Sequence, residues 1–154
     1  MSTSDPDPVA GDGGWGPVPA SVRPMIASFA RETLGCQCPP EVFEQIGQTL
    51  GPVPGLPGIV RRIVIGGRLL IHVVEPPGLP DALAGIGRWA REGCLERDRC
   101  GLNRFRLVIV LDDPTPETQR LVADALNACT GIADLVGSGF HLHCLSAAAL
   151  PKDW

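Results

Sequence analysis

Two thiols one residue apart, Cys36 and Cys38, have the types and spacing best suited to chemistry in this chain. In an extended segment, residues i and i+2 point to the same side, so both sulfurs can face one ion. A helix starting at Pro40 would set its positive end beside them, favouring thiolate over thiol. Thiolate binds zinc or an iron–sulfur cluster, and it is also the nucleophile of thiol–disulfide exchange. Structural zinc and cluster sites usually take four ligands, and Cys94 and Cys100, which flank a charged turn, are the expected remainder. The same corner also suits two small packed residues, reduced and inert. A redox pair ranks third, because closing a disulfide over one residue needs Cα atoms within about 7 Å, which an extended Cys-x-Cys barely meets. Cys129 and Cys144 fall on apolar faces and read as packing.

The remaining candidates are weaker. His72 lies in a predicted hairpin, and His141-x-His143 puts two imidazoles on one face of a predicted last strand. Surface histidines explain that pattern better than a metal site does. Asp112-Asp113 follows a predicted central strand, at the edge where open α/β sheets bind ligands, and could hold Mg²⁺. Asp-Asp-Pro-Thr-Pro is also an ordinary strand-to-helix turn, and that reading is preferred. The sequence contains no phosphate-binding glycine loop, no G-x-S-x-G elbow and no H-E-x-x-H.

These residues need a scaffold, and the sequence predicts one. Residues 1–20 are rich in Ser, Asp, Pro and Gly with a lone Trp15, and read as a disordered or loosely docked tail; residues 21–150 read as a single domain. Ser21 is the expected cap of a first helix that Gly35 stops, and Pro40 opens a second. A Pro/Gly linker over 51–58 leads to a hairpin with arms 60–65 and 68–75 around Gly66-Gly67. A helix from about Asp81 buries Leu83, Ile86, Ala90 and Cys94, although its glycines argue against great length. A near-continuous apolar strand follows at 105–111, then a helix capped by Thr115 and buried through Leu121, Val122, Ala125, Leu126 and Cys129, then a strand at 140–146. The expected fold class is α/β (or α+β): two short N-terminal helices, a β-hairpin and two β-α crossovers, making a four-stranded mixed sheet with helices packed on it.

Composition narrows the function. The chain has 154 residues and a net charge of −4, with no basic stripe, so neither nucleic acid nor an anionic membrane surface is the expected partner; another protein is. No basic n-region with an apolar run opens the sequence, and no stretch approaches the roughly 20 apolar residues of a membrane helix. A cytoplasmic setting keeps thiols reduced, and six cysteines then argue for metal, catalysis or burial over a disulfide framework. The expectation is a small metal- or iron–sulfur-binding accessory protein, a carrier or electron-transfer partner more than an enzyme. Its ligands would be Cys36, Cys38, Cys100 and Cys94. A partner-binding adaptor with structural cysteines and a thiol redox protein are the alternatives.

Overall fold

Alternation along β-strands sends neighbouring residues to opposite faces, and this chain buries both faces of one sheet. The computed structural model describes residues 15–51, 53, 56–137 and 139–154. In chain order the strands are β1 (Gly16–Pro17), β2 (Ile46–Leu50), β3 (Ile59–Ile65), β4 (Leu69–Val74), β5 (Arg104–Val110) and β6 (Phe140–Leu145). They lie side by side in that order. β1 to β4 pair antiparallel, and β4, β5 and β6 pair parallel. Helices α1 (Arg23–Ser28), α2 (Leu79–Arg99), α3 (Pro116–Asn127) and α4 (Ile132–Val136) complete the fold.

Two cores result. On one face, Leu70, Val74, Phe105, Leu107 and Ile109 of the sheet pack against Ile86, Trp89, Ala90 and Cys94 of α2 and Val122 and Leu126 of α3. On the other, Ile63, Ile65, Ile71, Val73 and Val108 pack against Ile26, Phe29, Leu34, Cys36 and Cys38. Both parallel crossovers, through α2 and through α3–α4, place their helices on the first face. That is where same-handed connections moving in one direction must put them.

The mixed α/β expectation and the antiparallel-then-parallel order of 60–65, 68–75, 105–111 and 140–146 agree with these pairings. The strand number does not: among the described residues the sheet has six strands, not four. The expected pair of N-terminal helices is also not formed. α1 is six residues long, carries no side-chain cap, and continues as a π-helical turn over Phe29–Thr33. Pro40 begins only one 3-10 turn, Pro40–Glu44. Gln45 then turns extended, its carbonyl accepts from Gly66 N–H at 2.7 Å, and Ile46–Leu50 becomes β2 against β3. Ladder bonds along an otherwise open edge outweigh the weak helical preference of this short segment.

The stretch read as tail also enters the fold. Residues 1–14 lie outside the described residues, but Trp15 and Val18 are buried, and Gly16–Pro17 pairs with β2. Gly47 permits this, since a Cβ there would press on the Trp15 side chain. The expected cap at Thr115 is present, accepting from Thr118 N–H at 3.1 Å. Leu121, expected inside, is exposed, because α3 turns the Val122–Leu126 stripe to the core.

The glycines of α2, which argued for a short helix, instead let a 21-residue helix lie close to its neighbours. A Cβ at Gly93 would overlap the Phe105 ring, and one at Gly87 would overlap the Cys129 sulfur. Gly93→Ala should therefore destabilise the fold by about 1–3 kcal/mol despite the better helix propensity of alanine, read as a lower urea midpoint at unchanged m-value.

Candidate functional site

Gly35 shapes the cysteine corner. It takes φ of +77°, a left-handed conformation that ends the π-helical turn. The closing bonds are Leu34 N–H to Phe29 O at 3.0 Å and Cys36 N–H to Ala30 O at 2.8 Å. Pro39 is extended, and Pro40 starts the 3-10 turn. Between these two stops, Cys36 and Cys38 are joined as a disulfide across Gln37, with Cα atoms 5.6 Å apart. That separation lies inside the usual range for a bridge. Both cysteines are buried in the second core but border a groove with Pro24, Ala27, Arg31 and Glu32.

A buried cation supports this corner from below. Arg106 of β5 is 5% exposed, donates from Nη1 to Leu34 O, and lies 3.1 Å from His143 Nε2. No carboxylate pairs with it among the described residues. Burial lowers its pKa, as does Arg104, yet a guanidinium remains charged. His143 bears the consequence: burial, then Arg106 and His141, push it down to about 4. His141 is shifted in the same direction by burial and by Arg106 and Arg104. His141 and His143 do share a face, opposite Arg106 and Val108 in register.

The other predicted ligands lie elsewhere. Cys94 is buried on α2 and Cys100 follows its last turn, both in the core across the sheet from Cys36 and Cys38. The sheet separates them, so the four cysteines do not form one ligand set. No group of three or more His, Cys, Asp or Glu able to hold a metal occurs among the described residues. Burial raises the Cys94 thiol to about 11, with Arg97 opposing, and burial alone does the same to Cys144. Neutral thiols of that kind are poor nucleophiles. Cys129, just past the end of α3, donates to Ala125 O at 3.4 Å. Asp112 and Asp113 are exposed in the bend between β5 and α3.

A second polar site was not read from sequence. Arg62 and His72 are register partners on β3 and β4, so both side chains project to the α2 face. There Arg62 Nη1 donates to Glu96 Oε2 at 2.7 Å, and His72 Nε2 meets Glu96 Oε1 at 2.8 Å. His72 is 1% exposed and Glu96 5%. Burial pushes Glu96 up, but the His72 hydrogen bond and the charges around it, Arg62 and Arg99 among them, outweigh burial and hold it below its ordinary value. Burial also lowers His72, against the pull of Glu96. An ionised Glu96 beside a neutral His72 puts the proton on Nε2, and no described protein group reaches Nδ1. The ring of Trp15 covers the Arg62 guanidinium at 5.1 Å.

Glu96 could have been found. The buried stripe of α2 runs Ala82, Ile86, Trp89, Gly93, Glu96, so a carboxylate occupies a position that helical spacing reserves for apolar side chains. Arg62 gave no such signal, because its direction depends on a bulge. Val60 is an extra residue between the pairs Ile59–Val74 and Arg61–Val73. Val60 and Arg61 therefore both face the second core, and Arg62 faces the first.

Comparison of the chain with protein-family models, curated proteins and solved structures finds no match in any of the three, so the functional reading rests on the geometry. No helix among the described residues is long and apolar enough to cross a membrane.

Two outcomes are expected of these sites. Glu96→Ala leaves the half-buried Arg62 and the buried His72 without their shared partner and should cost about 1–3 kcal/mol in urea unfolding, whereas Glu92→Gln, one turn earlier and exposed, should stay within about 0.5 kcal/mol. A histidine depressed in the fold stabilises fully above its unfolded pKa, near 6.5, and loses that contribution as pH falls. Stability should therefore drop between pH 7 and 4, and His143→Asn should flatten part of that slope in melts taken across the window.

Proposed function

We propose that the chain is a thiol–disulfide exchange protein whose working group is the Cys36–Cys38 pair. One observation carries this reading: of the six cysteines, these two are brought within bonding distance, at a rigid corner bordering an open groove. In the dithiol form, one thiolate attacks a substrate disulfide, one substrate sulfur leaves as thiol, and a mixed disulfide forms. The second cysteine then attacks its neighbour's sulfur, releasing the other substrate thiol and closing Cys36–Cys38. The substrate gains two electrons and two protons, and the protein is left oxidised.

Arg106 favours the attacking form. A positive charge held in a low-dielectric core, bonded two residues before Cys36, stabilises a nearby thiolate. Pro39 and Pro40 restrict the backbone that follows the pair, which limits how far the resolving sulfur can move away. The metal reading keeps only two ligands from this corner and would need others from a second molecule.

Alkylation followed by mass measurement tests this. After equilibration with oxidised glutathione, the chain should carry two fewer alkyl groups than after reduction, and Cys36→Ser/Cys38→Ser should abolish the difference. Arg106→Gln should slow alkylation of the reduced pair near neutral pH by several-fold. Equal labelling of oxidised and reduced protein would overturn the proposal. Stoichiometric zinc or iron in anaerobically purified protein, lost in the double variant, would replace it with the metal reading.

A further inference from the structure

β6 is the last strand of the sheet, and no described strand pairs with its outer side. We propose that this free edge is where a second copy of the chain docks. β6 of one copy lies against β6 of the other, antiparallel, about a two-fold axis at Leu142.

Backbone parity decides what the edge offers. Phe105 N–H donates to Gly139 O at 2.8 Å and Leu111 N–H to Leu145 O at 2.9 Å, so the odd-numbered residues of β6 turn their backbone groups to β5. Phe140, Leu142 and Cys144 turn theirs the other way, each with an N–H and a C=O that the β5 ladder does not use. The register with β5 runs unbroken from Phe140 to Leu145, with no bulge to twist the edge aside.

Proteins usually blunt such an edge with charge, proline, a bulge or a covering element. The opposite end of this sheet follows that rule, since β1 is two residues long and carries Pro17. Phe-His-Leu-His-Cys-Leu carries neither charge nor proline. Its side chains also suit a copy of themselves. Centred on Leu142, the two-fold sets Leu142 opposite Leu142, Phe140 opposite Cys144, and His141 opposite His143 of the other copy. Phe140, Leu142 and Cys144 lie on the α2–α3 face, where Phe140 and Leu142 are only half-buried, so apolar meets apolar. On the other face, burial and Arg106 hold both histidines below their ordinary pKa, so uncharged rings meet at neutral pH. No like charges oppose each other along this ladder, and any shift of register shortens it.

Size sets the strength. A ladder of six residues belongs to the small class of interface, below about 1,200 Å² in total, where association is weak and reversible. A dissociation constant of about 10–100 µM is expected.

Sedimentation velocity of the full-length reduced chain between about 5 and 500 µM tests the inference. Monomer should give way reversibly to dimer as concentration rises. Amide hydrogen exchange reads the parity: Phe140, Leu142 and Cys144 should gain protection with concentration, while His141 and His143, already facing β5, should not. Leu142→Pro removes an outward N–H that β5 does not use, which an edge strand tolerates, and should leave a folded monomer. Leu142→Lys sets two ammonium groups against each other and should raise the dissociation constant about tenfold or more; it decides the matter if the proline variant does not fold. Leu50→Lys, far across the sheet where Leu50 is 57% exposed, should dimerise like the parent. A monomer throughout the range, association unchanged in folded Leu142→Lys, protection of the odd-numbered amides instead of the even, or association lost in Leu50→Lys would each overturn the proposal.

Discussion

Everything in this molecule depends on one sheet being covered on both faces. β4 and β5 are central strands whose residues are almost all buried, so every side chain on them belongs to one of two cores that do not communicate. A residue's parity along the strand decides which layer it serves. His72 and Arg106 are each placed by this rule alone, one under α2 and the other under the cysteine corner. Each core takes one polar side chain from the two central strands, His72 on the α2 face and Arg106 on the other.

The two polar elements solve burial differently. Glu96 is met by a cation on one oxygen and an imidazole on the other, so its charge is compensated within the cluster. Arg106 has no carboxylate among its described partners and relies on a backbone carbonyl and a ring nitrogen, which leaves a net positive potential around the corner. The second arrangement keeps positive charge beside the corner where the exchange proposal needs a thiolate.

Much of the scaffold was legible from local pattern. Gly66-Gly67 between alternating arms, the apolar run of β5, the Thr115–Pro116 start and the Gly35 stop each carry their own physical cause, and each is found in place. What escaped depends on partners far along the chain. Ile46–Leu50 has no strand signature strong enough to stand alone; it becomes one because β3 offers an edge. Trp15 looked like part of a tail because its pocket is assembled by Gly47 and Arg62. The cysteines were located correctly as a corner, but an extended Cys-x-Cys was the wrong geometry: their Cα atoms are 5.6 Å apart, closer than the roughly 6.6 Å that two extended steps span, and the sulfurs meet. Cys94 and Cys100 could not be assigned to a layer until the strand order was known.

The extra residue at Val60 has a mechanical side. Alternation sends Arg61 and Arg62 to opposite layers and the bulge decides which enters which, so each adjacent arginine meets its own indole, Arg61 under Trp154 at 4.3 Å and Arg62 under Trp15 at 5.1 Å. Two segments separated by nearly the whole chain are thus riveted through the sheet at a single dipeptide. The sheet holds both ends of the described chain by cation–π contacts on its two faces.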